Sequence, residues 1–145
     1  MTINKLSYEE AIFKGFTHKI TIPYTDLTGL TSGNAYSIFP ALNAATTIPA
    51  GSRVSACAVN VSTAFVFSPG TLVAIIGDGG DTDRYFASTT IKTAGYTENT
   101  PTTKPYTYGT ADTIDIIVTA GAGALSSITA GSLDVFLRVE DLSTV

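Results

Sequence analysis

The chain has one histidine, His18, and one cysteine, Cys57, which limits the chemistry open to it before any fold is considered. General acid–base catalysis needs two titratable groups held close together with their pKa values moved apart. The carboxylates here fall mostly in turn-like segments or at the polar positions of alternating stretches, where water keeps them ordinary. His18 lies among Phe16, Ile20 and Ile22, so it reads as a neutral histidine of a core or interface. Cys57 is set among alanines and valines with no cation nearby to favour a thiolate, and it reads as a small buried hydrophobe. No nucleophile stands beside a base. The richest oxygen cluster is Gly77-Asp78-Gly79-Gly80-Asp81-Thr82-Asp83. Its carboxylates Asp78, Asp81 and Asp83 are hard ligands of the kind calcium takes. The order is not that of an EF-hand loop, and a hairpin turn using glycine for positive φ and aspartate for local hydrogen bonds accounts for the same residues. The remaining group is a trio of tyrosines, Tyr96, Tyr106 and Tyr108, whose rings join apolar area to a polar tip and suit a contact with protein or sugar.

These residues need elements to hold them, and the elements are strands. From Phe16 the apolar residues recur every second position through His18, Ile20 and Ile22 until Pro23, the pattern of a half-buried strand. Tyr36 to Leu42 gives a second apolar segment. In the long stretch 53–67, Val54, Ala56 and Ala58 fall on one face and Cys57, Val59 and Val61 on the other, which predicts a strand covered on both sides. Leu72 to Ile76 is nearly all apolar, and the segment from Arg84 to Ala87 returns beside it as a hairpin. Residues 88–111 read as a long connection. Ile114, Ile116 and Val118 then alternate with polar residues, as do Leu133, Val135, Leu137 and Val139 with Asp134, Phe136, Arg138 and Glu140. Seven or eight strands without a strong helix after residue 15 predict an all-β, single-domain β-sandwich or jelly roll over 16–145. Ahead of it, Ser7-Tyr8-Glu9-Glu10 spells a capping box, so residues 1–15 are expected to form a short helix or arm.

Composition narrows the function. The chain has 145 residues and 15.1 kDa, a formal net charge of −4 and a pI near 4.7. A phosphate backbone would be repelled, which argues against nucleic acid as a partner. No apolar run is long enough for a membrane helix or a secretory signal, so no membrane partner is expected. A single cysteine allows no internal disulfide. Charged residues make up only 14% of the chain, against about 25% in typical soluble proteins, and mean hydropathy is +0.27. Neutral Thr, Ser, Gly and Asn fill the difference. A surface this poor in charge predicts large protein contacts, and hence a component of an assembly.

Three segments carry a family likeness: Phe16-Thr17-His18-Lys19-Ile20-Thr21-Ile22, Leu72-Val73-Ala74-Ile75-Ile76-Gly77-Asp78 with its Gly-Gly-Asp turn, and Ile128-Thr129-Ala130-Gly131-Ser132-Leu133-Asp134-Val135. In these the chain resembles the small jelly-roll decoration, or cement, proteins on the capsids of tailed bacteriophages. The resemblance spans roughly residues 16–142 and brings no catalytic residue and no cofactor. It implies a homotrimer on the capsid surface of the virion that bridges major capsid subunits, with the N-terminal arm and long loops as clamps. Tyr8, Ile12 and Phe13 of the arm, with Tyr96, Tyr106 and Tyr108, are then the expected partner-binding residues. The competing expectation is a head-fibre or tail module that binds a glycan on a host surface through the same tyrosines.

Overall fold

A computed structural model describes residues 1–7, 15–40, 47–99 and 106–141. In chain order the strands are β1 (Thr2–Lys5), β2 (His18–Pro23), β3 (Ala35–Phe39), β4 (Ser52–Val66), β5 (Leu72–Gly77), β6 (Phe86–Thr90), β7 (Gly95–Asn99), β8 (Tyr106–Thr107), β9 (Ile114–Ala120) and β10 (Ala130–Asp141). A four-residue helix α1 (Tyr24–Leu27) follows β2, and a 3₁₀ turn (Leu125–Ser127) precedes β10. One sheet runs β1-β2-β10-β4-β7, with β8 also paired to β4, and the other runs β3-β9-β5-β6.

The order has a simple origin. β2 pairs with β10, β3 with β9, β4 with β7 and β5 with β6, every pair antiparallel. The chain is thus one long antiparallel ribbon whose tip is the β5–β6 turn. Rolling that ribbon brings β10 beside β4 and β9 beside β5, which closes the two sheets of a jelly roll. The expected all-β sandwich is therefore present. Its accessible surface of 7179 Å² matches the roughly 7,100 Å² expected of one globule of this mass. The inward residues of the alternating strands meet between the sheets: Ile20, Ile22, Leu133, Val135 and Leu137 from one, Ile38, Leu72, Ile76 and Ile116 from the other. Each such side chain contributes about 1.5–3 kcal/mol when taken from water.

Three features depart from the sequence expectation. Residues 2–5, placed in the arm, form edge strand β1 against β2, and the Leu6 amide donates to the Thr17 carbonyl at 2.9 Å. The expected helix around Tyr8, Ile12 and Phe13 lies outside the described residues. The connection 88–111 contains the end of β6, all of β7 and β8, because its threonines and tyrosines are good strand formers that their Gly and Pro neighbours obscure. Finally, β4 is not two-faced in the expected way. Arg138 pairs with Ala56 but Val139 pairs with Val54, leaving Ser55 as an extra residue. This bulge reverses the side-chain phase, so Val54 joins Cys57, Val59 and Val61 in the core while Ala56 and Ala58 face outward.

The two ends of the sandwich differ. At one end the turns 28–34, 67–71, 91–94 and 121–129 carry Lys92 as their sole charged residue. They are laced together by Gly33 N to Val118 O (3.0 Å), Gly121 N to Thr71 O (2.9 Å) and Lys92 Nζ to Gly70 O (2.8 Å). The opposite end holds the ribbon tip, 78–85, and Asp112 and Asp115, so five aspartates gather there around Arg84.

Candidate functional site

The ribbon tip is held by a buried ion pair. Gly77 ends β5, and a Cβ built on it would lie 2.1 Å from the Asp81 carbonyl oxygen, so the tight return requires glycine. Asp78 then turns inward. Its Oδ1 accepts from the backbone amides of Gly80 (3.0 Å) and Asp81 (2.9 Å), an aspartate-capped turn. Arg84 reaches back with Nε at 2.6 Å from Oδ2 and Nη2 at 3.3 Å from Oδ1. From the far side of the ribbon, the Tyr108 hydroxyl donates to Oδ2 at 3.0 Å and sits 2.6 Å from the Tyr85 hydroxyl. Tyr106 covers the cluster: the Arg84 guanidinium carbon lies 3.6 Å from its ring centroid, and its ring meets Tyr108 edge-on at 5.0 Å.

Electrostatics follow from these contacts. Burial alone would raise the Asp78 carboxyl, but the hydrogen bonds from Arg84, Tyr108 and the two amides outweigh it and hold the group below the usual carboxylate range. Arg84 is correspondingly held above its ordinary value, the partnership with Asp78 outweighing its burial. Tyr85 and Tyr108 are both pushed up, chiefly by burial, so they stay neutral donors.

The geometry revises the calcium candidate. Asp78 has both oxygens committed, with the Arg84 guanidinium standing where a cation would. Asp81 approaches Arg84 only at 3.9 Å with its side chain half in solvent, and Asp83 is exposed. Among the described residues no three His, Cys, Asp or Glu side chains converge on a metal position. The cluster fastens the fold.

The tyrosine trio is likewise divided. Tyr108 is 3% exposed and bonded within the chain, so it is a core residue here and presents no side chain to a partner. Tyr106 is 37% exposed and caps the ribbon tip, while Tyr96 is 56% exposed on the flat of the larger sheet. Tyr8, Ile12 and Phe13 lie outside the described residues. His18 is half-buried, with Nδ1 2.8 Å from Thr17 Oγ1 and its ring edge-on to Phe39 at 4.9 Å. Burial, with a smaller contribution from Lys5, lowers its pKa, which favours the neutral ring.

Cys57 is wholly buried, and burial pushes its thiol up to about 12. A thiol reagent such as Ellman's reagent is therefore expected to leave folded protein unmodified at mildly alkaline pH and to label one thiol per chain after denaturation. Prompt labelling of the native protein would contradict this burial.

Two hollows are lined by described residues. One of about 200 Å³ opens between the sheets beside β6 and β7, lined by Val59, Val61, Phe86 and Ile91 among others. The second, about 340 Å³, lies on the outer face of the larger sheet and is lined by Phe16, Asn60, Tyr96 and Phe136. Sequence reasoning did not single out Phe136. The available signal was Phe136 itself, a large apolar residue in the outward phase between Asp134 and Arg138.

No family model and no curated protein matches the chain. Two solved structures do. A chain in the capsid asymmetric unit of cyanophage Pam1 superposes with a TM-score of 0.55 at 19% identity, over 83% of this chain and 79% of that one. A chain of the acid-stable capsid of Helicobacter pylori bacteriophage KHP30 gives a TM-score of 0.48 at 16% identity, over 84% and 87%. The class is thus an antiparallel jelly roll without a recognisable catalytic centre among the described residues. More narrowly, it is a jelly-roll fold also present in the cyanophage Pam1 capsid.

Proposed function

We propose that the chain is a non-enzymatic structural protein of a bacteriophage virion, a decoration protein that trimerises on the capsid surface and bridges major capsid subunits. The observation that carries this reading is the rolled-ribbon fold shared over most of its length with a chain of a phage capsid. The scarcity of charge supports it, since interface cores are depleted in ionised residues. So does the asymmetry between the ends. The half that carries the ribbon tip gathers aspartates around Arg84 and presents the exposed face of Tyr106.

In this reading Tyr8, Ile12, Phe13 and Tyr106 make the contacts with neighbouring subunits. Stabilisation follows mass action: a protein that binds only the assembled shell makes rupture break its own contacts as well. A trimer gains further because linked contacts act at high effective concentration. Mixed with phage heads lacking their decoration, the protein is expected to co-sediment, and combined Tyr8→Ala, Ile12→Ala and Phe13→Ala substitution is expected to weaken that binding by tenfold or more. Failure to bind heads, or binding indifferent to the three substitutions, would overturn the reading.

A further inference from the structure

The hollow on the outer face of the larger sheet has a built floor and walls. Cross-strand register sets Glu98, Ala58, Phe136 and Lys19 in one row, and Tyr96, Asn60, Asp134 and Thr21 in the next. Ala58, small and fully buried, leaves the gap; Phe136 and Tyr96 flank it, and Phe16 backs Phe136 with ring centroids 5.6 Å apart. Lys19 lies over the Phe136 ring at 5.9 Å and reaches Asp134 at 3.5 Å, which fixes that wall. Asn60 is half-buried in the hollow, and its carboxamide makes no side-chain hydrogen bond among the described residues. The carboxamide reaches solvent, so both its donor and its acceptor are open to a ligand beside three aromatic rings.

We propose that this hollow binds a neutral saccharide. The ring faces of Tyr96 and Phe136 suit the C–H faces of a pyranose, and the Asn60 carboxamide both donates to and accepts from adjacent hydroxyls. Glu98, exposed on the rim, accepts from a further hydroxyl. Size points the same way. About 340 Å³ falls at the low end of small-ligand sites, roughly 300–1,000 Å³. A stable protein interface takes about 20–30 residues a side, far more than the four lining residues, and the Lys19 and Glu98 rim interrupts any larger apolar patch. Among the described residues the lining carries no ionised group, and Lys19 and Glu98 of opposite sign stand beside it, which suits an uncharged ligand. A purely apolar ligand would leave Asn60 unpaired. The site goes beyond the capsid role and does not depend on it.

The test uses isolated, ¹⁵N-labelled full chain titrated with three probes: cellotriose, maltotriose and chitotriose. Amide shifts confined to 58–60, 95–98 and 134–138 with at least one probe are the expected result. Tyr96→Ala and Asn60→Ala, both at side chains that reach solvent, are each expected to weaken that binding by tenfold or more, while Ser126→Ala at the opposite end leaves it unchanged. Absence of shifts with all three probes at tens of millimolar, or shifts insensitive to both substitutions, overturns the proposal. So does a change in sedimentation mass on Tyr96→Ala, which would make the hollow a protein contact. Since no capsid is present, these outcomes are independent of head binding.

Discussion

Replacing Asp78 with alanine is expected to lower the unfolding free energy by about 3–5 kcal/mol, the usual cost of breaking a buried charge pair by removing one partner. The Asp78 side chain is 1% exposed and that of Arg84 21%, so solvent screens the pair little. The substitution strands the guanidinium, the Tyr108 hydroxyl and the two turn amides at the tip of the ribbon. Against a total of about 5–15 kcal/mol for a domain, that loss leaves a marginal protein. Tyr108→Phe removes one donor only and is expected to cost about 1–2 kcal/mol. The pair also predicts a pH dependence. The Asp78 pKa is lowered in the fold, so its stabilisation is present above the ordinary carboxyl value of 3.8 and is lost as pH falls through the lower folded value. Asp115 acts oppositely. Burial, then Asp112 and Asp78, raise it, so its contribution is present in acid and is lost as pH rises through its folded value. Denaturant midpoints measured from neutral pH to strong acid are thus expected to fall more steeply at the acid end for the native sequence than for Asp78→Ala. A variant within 0.5 kcal/mol of the parent, about the scatter of ordinary surface substitutions, would mean that the pair does not fasten the tip.

Gly131→Ala is expected to cost about 3 kcal/mol or more, from overpacking and backbone strain together. Gly131 stands where β10 shifts register against β4, with φ at +133°. A Cβ there would lie 2.4 Å from Phe65 Cγ and 2.7 Å from Phe65 Cα, and Phe65 is 2% exposed. On a surface a ring turns aside, but here the obstacle includes backbone in the central strand pair. Gly29→Ala is the matched control, since it meets nothing within 4 Å and has an ordinary φ. Equilibrium unfolding of the two variants side by side checks the argument: a large loss for the first and little change for the second. Equal, small effects would show that the bulge relaxes freely.

The sequence carried the long, regular strands well. Ile20 and Ile22 in β2, and Leu133, Val135 and Leu137 in β10, are all buried at the alternation their spacing implies. The ribbon tip was legible as a glycine- and aspartate-rich return. What stayed hidden depends on partners distant in sequence. β1 is an exposed edge whose identity comes from its register with β2, and β7 and β8 exist because β4 extends fifteen residues for them to pair with. The phase reversal at Ser55 is invisible because a bulge changes which residues face inward without changing composition. Among site residues, Asp78 was found for the wrong partner. Its cation is Arg84, six residues on, and its third donor is Tyr108, thirty residues on. That convergence is a product of the roll. The place of Asn60 was hidden for a similar reason, since only cross-strand register sets it beside Tyr96.

The proposed capsid role requires a subunit that joins copies of itself, and the low charge is what motivates it. Sedimentation equilibrium of the purified full chain at micromolar concentration tests this most directly. A single species at three times 15.1 kDa is the predicted result. A species of 15.1 kDa that persists across the whole concentration range would contradict it.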